Sequence, residues 1–223
     1  MIACLFDIDG TLITSGGAGG YALMGAFSDL FGIESPQSVA FCGRTDRGIV
    51  TDLFAAHGIE NSVKNWDRLR EEYLRRLPVE LPRRQGGVLP GVQELVEHLA
   101  ERTDVALGLL TGNLRRGAEL KLTHYQLQPF FAFGGFGDHH HHRNDVANEA
   151  IEALESHLDE GIAYDSVWVI GDTPLDIECA RSVGAKVVAV TTGMVDAEEL
   201  ARHHPDLLLD DLSDVERVLS TIA

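Results

Sequence analysis

Residues 2–12, IACLFDIDGTL, decide the reading of this chain. Five apolar residues, Ile2 to Phe6, run directly into Asp7-Ile8-Asp9-Gly10-Thr11. A short apolar run stopped by polar and glycine residues reads as a buried strand. Three further runs have the same form: Val105 to Leu110, Val167 to Ile170 and Val187 to Val190. A fifth, Leu207 to Leu209, precedes a last helix of about Leu212 to Ile222. Segments with helical spacing lie between them. Val92, Leu95, Val96 and Leu99 share one face, as do Ala147, Ile151 and Leu154. Strands alternating with helices imply a parallel sheet covered on both faces, an α/β fold of three layers.

The stretch from Ser15 to about Arg84 breaks this rhythm. It offers helical patterns (Ala22, Ala26, Leu30; Ile49, Leu53, Ala56; Leu69, Tyr73, Leu77) and no convincing strand. Pro78, Pro82, Gly86, Gly87, Pro90 and Gly91 punctuate its end. The expected organisation is an α/β core from 1–14 and 86–223, with a helical domain at 15–85 inserted after the first strand.

Open parallel sheets bind ligands at the carboxyl ends of their strands. Asp7 and Asp9 follow the first strand, Thr111-Gly112-Asn113 the second, and Asp172-Thr173-Pro174-Leu175-Asp176 the third. An isolated Asp-x-Asp is usually a solvated loop. Three polar groups after three apolar strands are a constellation. Asp7 and Asp9 are two apart, so in extended chain their side chains leave on one side. Neighbouring carboxylates resist joint ionisation, so one can stay anionic as a nucleophile while the other holds a proton. Oxygen-only ligands at a site that meets phosphate suit Mg²⁺, and Thr111 can donate to a phosphate oxygen.

DIDGTL, LLTGN and GDTPLDIECARSVGA together resemble the motifs of the haloacid dehalogenase-like hydrolases, nearest to the phosphoglycolate-phosphatase-like branch. The resemblance implies a Rossmann-like core with a helical cap. It also implies a Mg²⁺-dependent phosphatase acting on a small phosphorylated metabolite through an aspartyl phosphate. By resemblance Asp7 is the nucleophile and Asp9 the general acid and then base. Thr111, with Gly112 and Asn113 beside it, binds the phosphoryl group. Asp172 holds the metal with Asp7 and the backbone carbonyl of Asp9, and Asp176 is a further acid of the metal site. The family's usual lysine is replaced about thirty residues past Thr111 by Arg143, whose fork suits phosphate. Lys121 is the rival cation. Ten residues past Thr111 it would lie roughly 15 Å from the strand end at about 1.5 Å per residue, a long reach, and its plain reading is a surface charge. In Gly43-Arg44-Thr45-Asp46, Asp46 reads as a helix cap, while the resemblance turns the segment to the active site with Arg44 offering a cation to substrate.

The rest of the sequence narrows the alternatives. Lys plus Arg number 18 against 35 Asp plus Glu, a formal charge of −17. That excess opposes binding to nucleic acid or an anionic membrane surface. No apolar run approaches the roughly 18 residues of a spanning helix, and the start lacks a signal peptide's basic region. Cys4, Cys42 and Cys179 are odd in number and widely spaced, and read as reduced, buried thiols, which fits a cytoplasmic protein. Gly17 to Ala22 matches GxGxxA, but Asp7 to Thr11 separate it from the strand, so it reads as a hinge rather than a dinucleotide turn. His139 to His142 lack the fixed geometry of a zinc site. A phosphomutase of the beta-phosphoglucomutase kind would share the same acids. A dehalogenase would not need Asp9, because halide leaves unprotonated. A receiver-like signalling module would not carry the long insert.

Overall fold

In a computed structural model, described for residues 1–158 and 166–223, six parallel strands form one sheet. They are β1 (Ile2–Phe6), β4 (Val105–Leu110), β5 (Phe133–Gly135), β6 (Ser166–Gly171), β7 (Lys186–Val190) and β8 (Leu207–Leu209). Their order is β5-β4-β1-β6-β7-β8. The chain builds outward from β1 on one side and then returns to build outward on the other, so the order reverses at β1. Register places Phe6 opposite Leu109 on one neighbour and Ile170 on the other. The residues following these three strands therefore emerge side by side, at neighbouring strand spacings of about 4.8 Å.

Period-two alternation explains the layering. Cys4 and Phe6 of β1 pack on one face with Leu95 and Leu99 of α4 (Val92–Ala100), Leu122 of α5 (Arg115–His124) and Val218 of α9 (Val215–Ile222). Ala3 and Leu5 pack on the other with Val146 and Ala150 of α6 (Arg143–His157), Ile177 of α7 (Pro174–Ser182) and Leu200 of α8 (Ala197–Arg202). The expected three-layer parallel α/β core is what forms. The last helix begins at Val215 rather than Leu212, because the Asp214 side chain accepts from the Arg217 amide and starts the helix there.

Three helices build a separate apolar cluster: α1 (Ala18–Phe31), α2 (Asp46–Ala56) and α3 (Val63–Glu80), with Phe27, Leu53, Leu69 and Leu77 fully buried. Leu114, just ahead of α5, joins this cluster, and α5 lies against α3. The chain enters and leaves this helical region through a two-stranded antiparallel ribbon, β2 (Ile13–Thr14) with β3 (Gly87–Val88). Strands of two residues carry no periodicity, so the sequence gives no sign of them. β5, two of whose three residues are glycine, escapes for a related reason. No helix among the described residues is long and apolar enough to cross a membrane.

Candidate active site

A cavity of about 550 Å³ opens at the carboxyl ends of β1, β4 and β6, between the sheet and the helical region. Asp7, Asp9, Gly112, Asn113, Lys121, Arg143, Asp172 and Arg44 all line it. Thr111 and Asp176 stand one layer behind, both fully buried.

Asp7, Asp172 and Asp176 each bring a carboxylate oxygen within 4.8 Å of the others. The crowding is visible in their chemistry. Burial, with Asp176 and Asp9 nearby, lifts the Asp7 carboxyl to about 6 despite Arg143. Burial, then Asp176 and Asp7, lifts Asp172 to about 8. Asp7 Oδ1 lies 3.0 Å from the Arg143 guanidinium as an ion pair, yet this buried oxygen has no hydrogen-bond donor. Gly10, at φ +89°, and Gly193 crowd the Asp172 carboxylate so closely that a Cβ on either would overlap it. Thr11 donates to its Oδ1 at 3.2 Å. An under-donated buried carboxylate beside an acid that resists ionisation, with only oxygen donors, fits a hard divalent cation such as Mg²⁺. Asp7 and Asp172 are the residues that would hold it. Asp176 is already occupied: Arg143 reaches Oδ1, and the Thr173 amide (3.0 Å) and hydroxyl (2.7 Å) donate to Oδ2 in the capping box of α7.

The Asp9 carboxylate stands apart from this group and meets other partners. Lys121 Nζ lies 2.5 Å from Oδ2, Asn113 Nδ2 donates to the same oxygen at 2.9 Å, and Ser15 donates to Oδ1 at 3.2 Å. Burial pushes Asp9 upward, but the Lys121 charge and these donors outweigh it and hold the carboxyl below its usual range. Asp7 is thus the acid its surroundings raise and Asp9 the one they lower, the opposite of the order expected for a nucleophile and a general acid.

Lys121 is neither distant nor on the surface. It is buried, and it also donates to Asn113 Oδ1 at 2.6 Å. Counting rise along the helix misleads: α5 lies against α3, and Lys121 lines the cavity. Arg143 is buried as well and meets Asp7, Asp176 and the Leu110 carbonyl (3.2 Å). Both candidate cations therefore enter the cleft.

Other expectations change. Arg44 lines the cavity, but its guanidinium pairs with Asp52 of α2 at 2.8 Å. Thr111 does not face the cavity; its hydroxyl accepts from Asn113 Nδ2 at 2.8 Å. The N-cap of α2 is Thr45, which accepts from the Gly48 amide, so Asp46 does not cap that helix. Cys42 is exposed on the loop ahead of α2, while Cys4 and Cys179 are buried and burial raises their thiols to about 12. Gly17 is the N-cap of α1. His140 meets Glu149 and His141 meets Thr51, and no histidine joins the acid cluster among the described residues.

Sequence reading missed Tyr73, Ser15 and the Thr192-Gly193-Met194 turn, all of which line the cavity. That turn follows β7, so asking what lies beyond the fourth apolar run would have found it. Tyr73 carried no such signal, since its spacing marks it only as helix core.

A family model described as haloacid dehalogenase-like hydrolase matches residues 4–190, most of the chain. The chain belongs to that family of hydrolases. It is 28% identical to a phosphoglycolate phosphatase from Synechococcus elongatus, over 100% of this chain and 99% of that one. Among solved structures it resembles CbbY from Rhodobacter sphaeroides in complex with phosphate, with a TM-score of 0.74 at 15% identity, covering 96% of this chain and 95% of that one. It also resembles a predicted phosphoglycolate phosphatase from Haemophilus somnus, with a TM-score of 0.73 at 19% identity, covering 98% and 97%.

Proposed function

We propose that this hydrolase is a Mg²⁺-dependent phosphatase acting on a small phosphate monoester. The observation that carries the reading is the division of acids in one cavity. Asp7, Asp172 and Asp176 form an oxygen cluster, while Asp9 stands apart on its own cation, Lys121. Asp7 and Asp172 would hold Mg²⁺, which would supply positive charge that favours the ionised form of Asp7.

Asp7 attacks phosphorus in line and the ester oxygen departs, leaving an aspartyl phosphate on Asp7. Asp9 gives the departing oxygen its proton and later takes one from the attacking water. For the second role Asp9 must be ionised, the form that Lys121 and its donors favour. The first role needs a proton, and substrate helps to supply the reason. A phosphate oxygen beside Lys121 competes for the ammonium, and a carboxylate that loses its cation in a drying site binds protons more readily. Arg143 offsets the charge on Asp7, and Gly112 and Asn113 line the cavity beside Lys121. Residues 15–85 would act as a cap, whose α1 and α2 close the cavity over the leaving group. The names of the relatives make phosphoglycolate the first ester to test.

Steady release of phosphate from p-nitrophenyl phosphate with Mg²⁺, and its loss in EDTA, is the expected result. Asp7→Asn should lower turnover at least about 10³-fold with the fold intact. A single turnover without steady release, or an active Asp7→Asn variant, would overturn the reading. Release without any sugar acceptor separates hydrolysis from mutase chemistry.

A further inference from the structure

Helix α5 carries Lys121, yet its own N-terminus is poorly equipped. The N-cap is Leu114, which has no side-chain acceptor, and the first amides of a helix have no partner within it. Two acids from elsewhere fill the gap. Asp138 Oδ2 accepts from the Arg115 amide at 2.7 Å. Asp46 Oδ2, from the first residue of α2 in the helical region, accepts from the Leu114 amide at 2.8 Å.

Asp46 also holds the other side of the same loop. Its backbone amide donates to the Gly112 carbonyl at 2.7 Å. Asn113 is thus bracketed by two hydrogen bonds from one residue. The approach is close: the Arg44 carbonyl occupies the space a Cβ on Gly112 would need. Asp46 is free for this work because Thr45 already caps α2. An acid at a helix N-terminus is also favoured by the helix dipole. What the bracket holds is the polar bridge across the cavity. Asn113 donates to Thr111 and Asp9 and accepts from Lys121.

We propose that Asp46 is a positioning residue, an acid supplied by the helical region that caps α5 in trans and so fixes Asn113 and Lys121 against Asp9. Seating of the helical region and readiness of the phosphate-facing loop are then one event. The catalytic arm of the test rests on the phosphatase reading above; the exchange arm does not.

The test compares Asp46→Ala, Asp46→Asn and Asp138→Ala in the full chain. Amide hydrogen exchange is followed over residues 112–122, and kcat and KM are measured on p-nitrophenyl phosphate with Mg²⁺. Asp46→Ala should speed exchange at Leu114 and the first turn of α5 about tenfold, the usual scale for a lost cap. It should lower kcat about tenfold with KM within about twofold. Asp46→Asn keeps an acceptor oxygen and should restore both to within about threefold of wild type. Asp138→Ala should speed exchange at Arg115 but hold kcat within about threefold, because it removes a cap without loosening the bracket on Asn113. Wild-type exchange and kcat in Asp46→Ala would overturn the proposal. So would Asp46→Asn as impaired as Asp46→Ala, or Asp138→Ala losing as much kcat. If the wild type has no Mg²⁺-dependent turnover, the phosphatase reading fails, and exchange still decides whether Asp46 caps α5.

Discussion

Two buried cations line the cavity, and they are built into it differently. Arg143 spreads a planar fork over Asp7, Asp176 and the carbonyls of Leu110 (3.2 Å) and Gly43 (3.4 Å). It joins β1, β4, α7 and the loop ahead of α2 in one knot. Lys121 meets one carboxylate and one amide oxygen, Asp9 and Asn113. The acids differ accordingly. Asp176 is fully buried and depends on its guanidinium, whereas Asp9 keeps more than a third of its side chain exposed and can be hydrated from the cavity. One cation is therefore part of the framework. The other serves one partly exposed carboxylate, Asp9, and one amide, Asn113.

The strongest way to break this contrast is Arg143→Ala. It strands two buried carboxylates, and removing one partner of a buried pair typically costs about 3–5 kcal/mol. Denaturant melts should show a loss of that size, with turnover down at least about 100-fold. Arg143→Lys should recover little of either, because one ammonium cannot span the same acceptors. Lys121→Ala should lower kcat about 10- to 100-fold but cost less stability than Arg143→Ala, since Asp9, unlike Asp176, can regain water from the cavity. Equal stability losses in the two alanine variants would erase the distinction.

Asp46→Asn probes the same wall through pH. Burial raises the Asp46 carboxyl from 3.8 to about 6 in the folded chain. A raised acid contributes stability that is complete below its unfolded value and lost as pH climbs through its folded one. Wild type should therefore weaken from about pH 4 to 6, and Asp46→Asn should not. The gap should grow across that window and stay level above it, with an upper bound of roughly 3 kcal/mol at 1.36 kcal/mol per unit. Thermal melts of both proteins at pH 4, 5, 6 and 7.5 measure it, and a gap independent of pH would contradict the assignment.

The core and the acids were legible because both depend on local pattern. Asp7 and Asp172 each follow an apolar strand, and parallel topology leaves those strand ends nowhere else to go. The cations were half legible. Arg143 could be placed by its distance from Thr111, but the placing of Lys121 depends on how α5 lies against α3, a packing fact with no sequence period. The lowering of the Asp9 carboxyl was hidden for the same reason, since Lys121 is its largest downward cause. Two-residue β2 and β3 were out of reach of any pattern, yet they carry both crossings.

That ribbon has a mechanical consequence. The two crossings are hydrogen-bonded to one another at Ile13–Val88 and Thr14–Gly87, and Gly16 is pressed against the Gln85 backbone. Two tethers laced side by side behave as a door hinge, not as a pair of strings. They permit swinging about one line and resist twist and sliding. Any opening of the helical half should follow a single arc, bringing Asp46 back to the Leu114 amide on each return.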